Sequence, residues 1–186
     1  MSSALLVMDV QRAVVDAVGA DSGYLARLRA AIDGARAADI PVIHVVIGFR
    51  PGFPEVGTRN KPLAAIARAG LYVEGAPGTE IHPDVAPRPG DVVVTKRRAS
   101  AFSGSDLDVV LRSRGIDSLV LAGIATSAVV LSTVCQANDL DLGLTVLSDG
   151  CLDLDPEVHR VLVERLFPQW ADVVTVDEWL EKAAAR

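Results

Sequence analysis

Short, unbroken apolar runs recur along this chain, and the stretches between them carry helical spacing. Leu5-Leu-Val-Met8, Val42-Ile-His-Val-Val-Ile47 and Leu119-Val-Leu121 lack the alternation of a strand with one wet face. Strands that read this way are covered on both faces, as in parallel sheets joined by crossover helices. The pattern predicts strands over 4–10, 41–47, 91–95, 117–123, 143–148 and 172–176. Alternation of strand and helix then gives a mostly parallel six-stranded sheet in a three-layer α/β/α arrangement.

Helix signals fall between these strands. Ser22 is placed to cap a helix running to about Asp39, Ser105 or Asp106 one ending at Gly115, and Asp177 the last helix. Asp155-Pro156-Glu157 supplies a cap, a first-turn proline and a first-turn acid. Segment 48–62 has too many prolines and glycines for a helix or a central strand. A connection this long in a compact domain is commonly a binding loop. Following the second strand, it should overhang the carboxyl edge of the sheet, where open α/β sheets bind ligands.

Composition narrows the function classes. The 186 residues are half hydrophobic, enough for one domain, 1–186, to bury its core without disulfides or metals. A net charge of -6 argues against nucleic acid, whose phosphates call for a basic surface. No apolar stretch is long enough for a membrane span, and Met1-Ser-Ser leads into strand one without a basic segment, so a cytoplasmic protein is expected. Cys135 and Cys151 lack the spacing of a zinc pair and are expected to be reduced structural thiols. His44 sits in an apolar strand, His82 in a loop and His159 in a helix, so no metal centre is expected.

Two strand ends carry charge. Asp9 closes the first strand and Lys96 the third, and a buried carboxylate demands a partner such as that ammonium. Burial raises an Asp pKa while a cation lowers it, and the residues alone leave the balance open, with a purely structural ion pair as the other reading. Thr126 and Ser127, at the entrance to the helix after strand four, are expected to cap it. Ser132 and Thr133 are expected to bond back to helix carbonyls. Arg50 and Arg59 in the long segment, with Arg97 and Arg98, suit recognition of a carboxylate, though loop arginines are commonly just solvated. Phe49, Phe53 and Phe102 could supply apolar walls.

Asp9-Val-Gln11, Lys96-Arg-Arg-Ala-Ser-Ala-Phe102 and Gly123-Ile-Ala-Thr126, in this order, resemble the motifs of the isochorismatase-like family, with its cysteine hydrolases and Rossmann-like sheet. The resemblance covers almost the whole chain. Gln11, Arg50, Arg59 and Phe102 are the expected substrate-binding residues, and the resemblance implies that the backbone N–H groups of Ala125 and Val129 face the substrate's negative charge and that the Ile124–Ala125 peptide is cis. It also implies a homodimer or homotetramer and, with no Asp-x-His pair after strand two, neither metal nor cofactor.

The amidase branches read Gly-x-x-Thr-x-x-Cys, and the catalytic Cys maps onto Val129. Valine has no lone pair to attack with. Cys135, six residues on, is rotated by about 240° and expected in the core. Three readings follow: a hydrolase of a small, anionic metabolite using Asp9 as general acid with Lys96 and no thiol; a catalytically inactive binding or assembly protein; and a hydrolase with another nucleophile.

Overall fold

A computed structural model describes residues 2–184. The strands are β1 Ser3–Met8, β2 Val42–Ile47, β3 Val92–Lys96, β4 Ser118–Ile124, β5 Gly143–Leu152 and β6 Asp172–Val174. They form one sheet in the order β3-β2-β1-β4-β5-β6, and every pairing is parallel. The chain winds outward from β1 to β3 and then restarts on the other side with β4. The crevice at the carboxyl ends of β1 and β4 is therefore the switch point of the sheet.

Among the described residues seven α-helices accompany the strands: α1 Arg12–Val18, α2 Ser22–Ala37, α3 Lys61–Ala69, α4 Leu107–Ser113, α5 Leu131–Asp139, α6 Pro156–Val161 and α7 Val176–Ala184. Period-two alternation sorts the strand side chains between two cores. Ala4, Leu6, Met8, Leu119 and Leu121 pack with Leu107 and Leu111 of α4 and Val134 of α5. Leu5, Val7, Val120 and Ala122 pack on the other face with Leu28 and Ile32 of α2 and Trp179 of α7. Truncating a residue such as fully buried Leu28 to Ala would cost about 2–5 kcal/mol.

The helix starts differ in detail from the sequence expectations. Asp21, not Ser22, caps α2, accepting from the Tyr24 amide at 2.7 Å. The last helix is entered through a reciprocal pair in which Thr175 Oγ1 accepts from the Glu178 amide and Glu178 Oε2 accepts from the Thr175 amide, leaving Asp177 in the first turn. Asp155 does cap α6, with Pro156 in its first turn. β5 continues to Leu152, past the expected end at 148, and its register against β4 shifts between Leu121 and Gly123.

The long segment after β2 is a series of turns up to Asn60, which caps α3. Ile47, Phe49 and Leu63 form a small third core with Phe53, Val56, Ile66 and Tyr72 packed against it. That cluster fixes the segment over the carboxyl edge of β1 and β2.

Candidate active site

Gly123 makes the site possible. Its φ of 147° and the approach of β1 leave no room for a side chain, since a Cβ there would lie 2.2 Å from the Met8 carbonyl oxygen. The close approach sets Asp9 and the end of β4 side by side. Asp9 itself takes a left-handed conformation, φ 55°, with its amide bonded to the Val45 carbonyl. A non-glycine residue pays for that geometry and is characteristic of functional sites.

Lys96 reaches across from β3. Its Nζ lies 2.8 Å from Asp9 Oδ2 and donates to the Arg98 carbonyl at 3.0 Å, and both residues are buried. The other carboxylate oxygen, Asp9 Oδ1, is buried with no hydrogen-bond partner in the protein. Burial raises the Asp9 carboxyl above the ordinary carboxylate range, against the opposing pull of the Lys96 ammonium.

A cavity of about 260 Å³ opens onto this pair. Ile124, Ala125, Ala128 and Val129 form one wall, Pro62, Leu63 and Ile66 of α3 another, and Val14, Ile47, Asn60, Tyr72 and Ala99 complete it. The Ile124–Ala125 peptide is cis, as the resemblance implies. Residues Thr126–Val130 then make a wide π turn before α5, a local form that recurs at functional sites. Val129 faces the cavity and is buried, an aliphatic side chain beside the cis peptide.

The remaining expected site residues are elsewhere. Gln11 is a structural clasp: its amide nitrogen donates to the Ile47 and Thr79 carbonyls and its oxygen accepts from the Ile47 amide. Phe102 is spent on the hydrophobic core. Arg50 pairs with Glu55 and is largely exposed, and Arg59 is exposed, so neither lines the cavity. Arg97 engages Glu74, and Arg98 donates to the Arg97 and Glu55 carbonyls.

Three other expectations are corrected by packing. Thr126 does not cap the helix; its hydroxyl lies 2.8 Å from His159 Nδ1. Thr133 accepts from the Ala101 amide at 3.0 Å, tying α5 to the loop after β3. Cys135 is exposed, because the π turn resets the helix face that counting from Val129 assumed, whereas Cys151 is buried. Sequence reasoning missed Val14, Asn60, Ile66, Tyr72 and Ala99 as wall residues. Asn60 was the one with a signal, a helix-capping residue two positions before Pro62.

Among the described residues no group of acidic, histidine or cysteine side chains could hold a metal ion, and no helix is long and apolar enough to cross a membrane.

An all-parallel sheet with an acid–ammonium pair at its switch point defines an open α/β chain with a candidate site at its carboxyl edge. Residues 3–178 match the family model described as the isochorismatase domain, and the chain belongs to that family. It is 34% identical to the ureidoacrylate amidohydrolase RutB of Stutzerimonas stutzeri, over 98% of this chain and 83% of that one. It is 30% identical to YwoC, an uncharacterized isochorismatase family protein of Bacillus subtilis, over 97% of this chain and 93% of its relative. Among solved structures, an isochorismatase family protein from Desulfovibrio vulgaris superimposes with a TM-score of 0.87 at 28% identity, covering 100% of this chain and 99% of that one.

Proposed function

We propose that residues 1–186 form one hydrolase domain acting on a small molecule, with Asp9 as general acid and base and no covalent intermediate. The observation that carries this reading is Asp9 Oδ1, a buried carboxyl oxygen without a protein partner on a group whose pKa is raised, lining a cavity. In the forward step Asp9 donates its proton to the leaving atom of the substrate. Water then adds to the activated carbon and returns a proton to the carboxylate, so the enzyme ends as it began. Lys96 keeps the carboxylate oriented while it is charged. The N–H groups of Ala125 and Val129 would meet negative charge as it develops on the substrate.

General acid catalysis of this kind contributes about 10²–10⁴-fold. The test is a screen of the purified chain against enol ethers, amides and small esters, comparing wild type with Asp9→Asn and Val129→Cys. Turnover that falls by about that factor in Asp9→Asn supports the reading. Turnover unchanged in that variant rejects it.

One observation favours a second reading, a catalytically inactive family member that binds a small molecule. Val129 places a branched, buried side chain at the position of the family nucleophile. Under this reading the wild type turns over nothing in the screen, and Val129→Cys gains amide hydrolysis.

A further inference from the structure

The cavity has little charge to offer a ligand. Among the described residues its one carboxyl group and one amine, Asp9 and Lys96, engage each other at 2.8 Å. The nearby guanidinium groups are committed elsewhere: Arg50 to Glu55, Arg97 to Glu74, Arg98 to two main-chain carbonyls. Arg59 and Lys61 flank Asn60 but are exposed and outside the wall.

Several backbone amides near the cavity are engaged as well. At the start of α3, Pro62 has no N–H, the Leu63 amide donates to Asn60 Oδ1, and the Ala64 amide donates to the Asn60 carbonyl. At the start of the π turn the protein supplies its own anion, since Asp153 Oδ2 accepts from the Ser127 amide at 2.6 Å. A carboxylate entering this cavity would lose its water and meet no cation but Lys96, which Asp9 already engages. The wall it would meet is Val14, Ile47, Pro62, Leu63, Ile66 and Val129.

From this accounting we infer that the ligand class of the cavity is an uncharged small molecule, an apolar body carrying one hydrogen-bonding carbonyl or ether oxygen. That oxygen meets the Asp9–Lys96 pair, with the amide of Asn60 and the ring of Tyr72 at the other wall. The volume lies below the range of drug-sized pockets, which limits the body to about one small ring or branched chain. A neutral ground state also suits the N–H groups of Ala125 and Val129, which then meet charge only as it develops. The inference rests on the reading of this cavity as the reaction site and names its substrate class, in place of the anionic metabolite expected from the arginines.

The test is binding, measured on the intact chain by saturation-transfer NMR and thermal shift at neutral pH with matched probes: benzamide, methyl benzoate and benzoate, and isobutyramide with isobutyrate. The neutral members should bind and the carboxylates should bind at least about tenfold more weakly. Ala99→Trp, which plugs the mouth from an exposed position, should abolish binding of the neutral probes. Ile66→Lys, which adds a cation to the wall from a half-buried helix position, should narrow or reverse the preference. Carboxylates binding wild type as tightly as their amides, or neutral probes failing to bind at all, would overturn the inference. Selective binding without turnover would uphold the ligand class and reject hydrolysis, whereas Asp9-dependent turnover of a carboxylate would do the opposite.

Discussion

The Thr126 hydroxyl lies 2.8 Å from Nδ1 of His159, 33 residues further along the chain. Thr126 is fully buried and sits in the π turn, while His159 belongs to α6. The next residue, Ser127, is held by Asp153 through its amide. Two successive residues of the turn are thus clamped from outside the cavity that their neighbours Ala125, Ala128 and Val129 line.

Removing the imidazole strands a buried hydroxyl. His159→Ala should cost about 1–3 kcal/mol, and Thr126→Val in the same chain should recover most of it. His159→Asn, whose amide can occupy the place of Nδ1, should lose less. Hydrogen exchange read residue by residue is the specific check, with faster exchange in His159→Ala confined to residues 125–130. A uniform rise across the chain would mean that α6 simply packs poorly and that the clamp has no local role.

That clamp was not legible in the sequence, and the reason is physical. A hydrogen bond between a turn and a helix 33 residues away leaves no periodicity and no motif, so Thr126 read as an ordinary helix cap. The sheet was legible because continuous apolar runs have few other homes, and Asp9 with Lys96 was legible because strand ends in such a sheet converge on one edge. Arg50 and Arg59 were misplaced for the converse reason. Long charged side chains go where solvent and a partner such as Glu55 allow, which no pattern of residues encodes. Helix α1 escaped notice because its cap residue Gln11 makes no side-chain cap bond and its first turn carries no acid.

The Asp9–Lys96 pair should respond asymmetrically to its two neutralising variants. Asp9→Asn leaves a buried ammonium without a counter-charge and should destabilise by about 3–5 kcal/mol at neutral pH. Lys96→Met strands a carboxyl instead, which escapes by keeping its proton. The folded-state pKa of Asp9 is already raised above 3.8 by burial, and loss of Lys96 removes the charge that opposed that rise. Because the folded state then holds a proton that the unfolded state releases, the stability of Lys96→Met should climb as pH falls toward 3.8. Urea midpoints of both variants from pH 7 to pH 4.5 would show it, and parallel curves would contradict it. The double variant Asp9→Asn/Lys96→Met should regain much of the loss.

Thiol chemistry should separate three positions. Cys135 is exposed, whereas burial pushes the Cys151 thiol up to about 12. Titration of the native chain with an aromatic disulfide at pH 8 should therefore consume one equivalent, and two after denaturation. In Val129→Cys the introduced thiol faces the cavity beside Lys96, so iodoacetamide should modify it far faster than Cys151. Equal rates would show that the cavity is closed to small reagents.

His44 predicts the acid limit of the fold. It lies in β2 with 1% of its side chain exposed, and neither ring nitrogen has a hydrogen-bond partner in the protein. Asp91 Oδ2 is 3.6 Å from Nε2, too far for a hydrogen bond, and is already engaged by Arg36 and the Arg88 amide. Burial lowers the His44 pKa below 6.5, with the Asp91 charge only partly opposing it. The folded state therefore excludes a proton that the unfolded chain accepts. Stability from this group is complete above pH 6.5 and is lost as pH falls from there toward the folded-state value, at a slope of up to about 1.4 kcal/mol per pH unit. His159, lowered by burial against Asp153, adds a slope of the same sign. Thermal melts of wild type and His44→Leu between pH 7.5 and 5 should diverge, with the wild type losing stability faster and the leucine variant keeping only the His159 share. Identical pH profiles would mean that His44 takes up its proton in the folded chain as readily as in water.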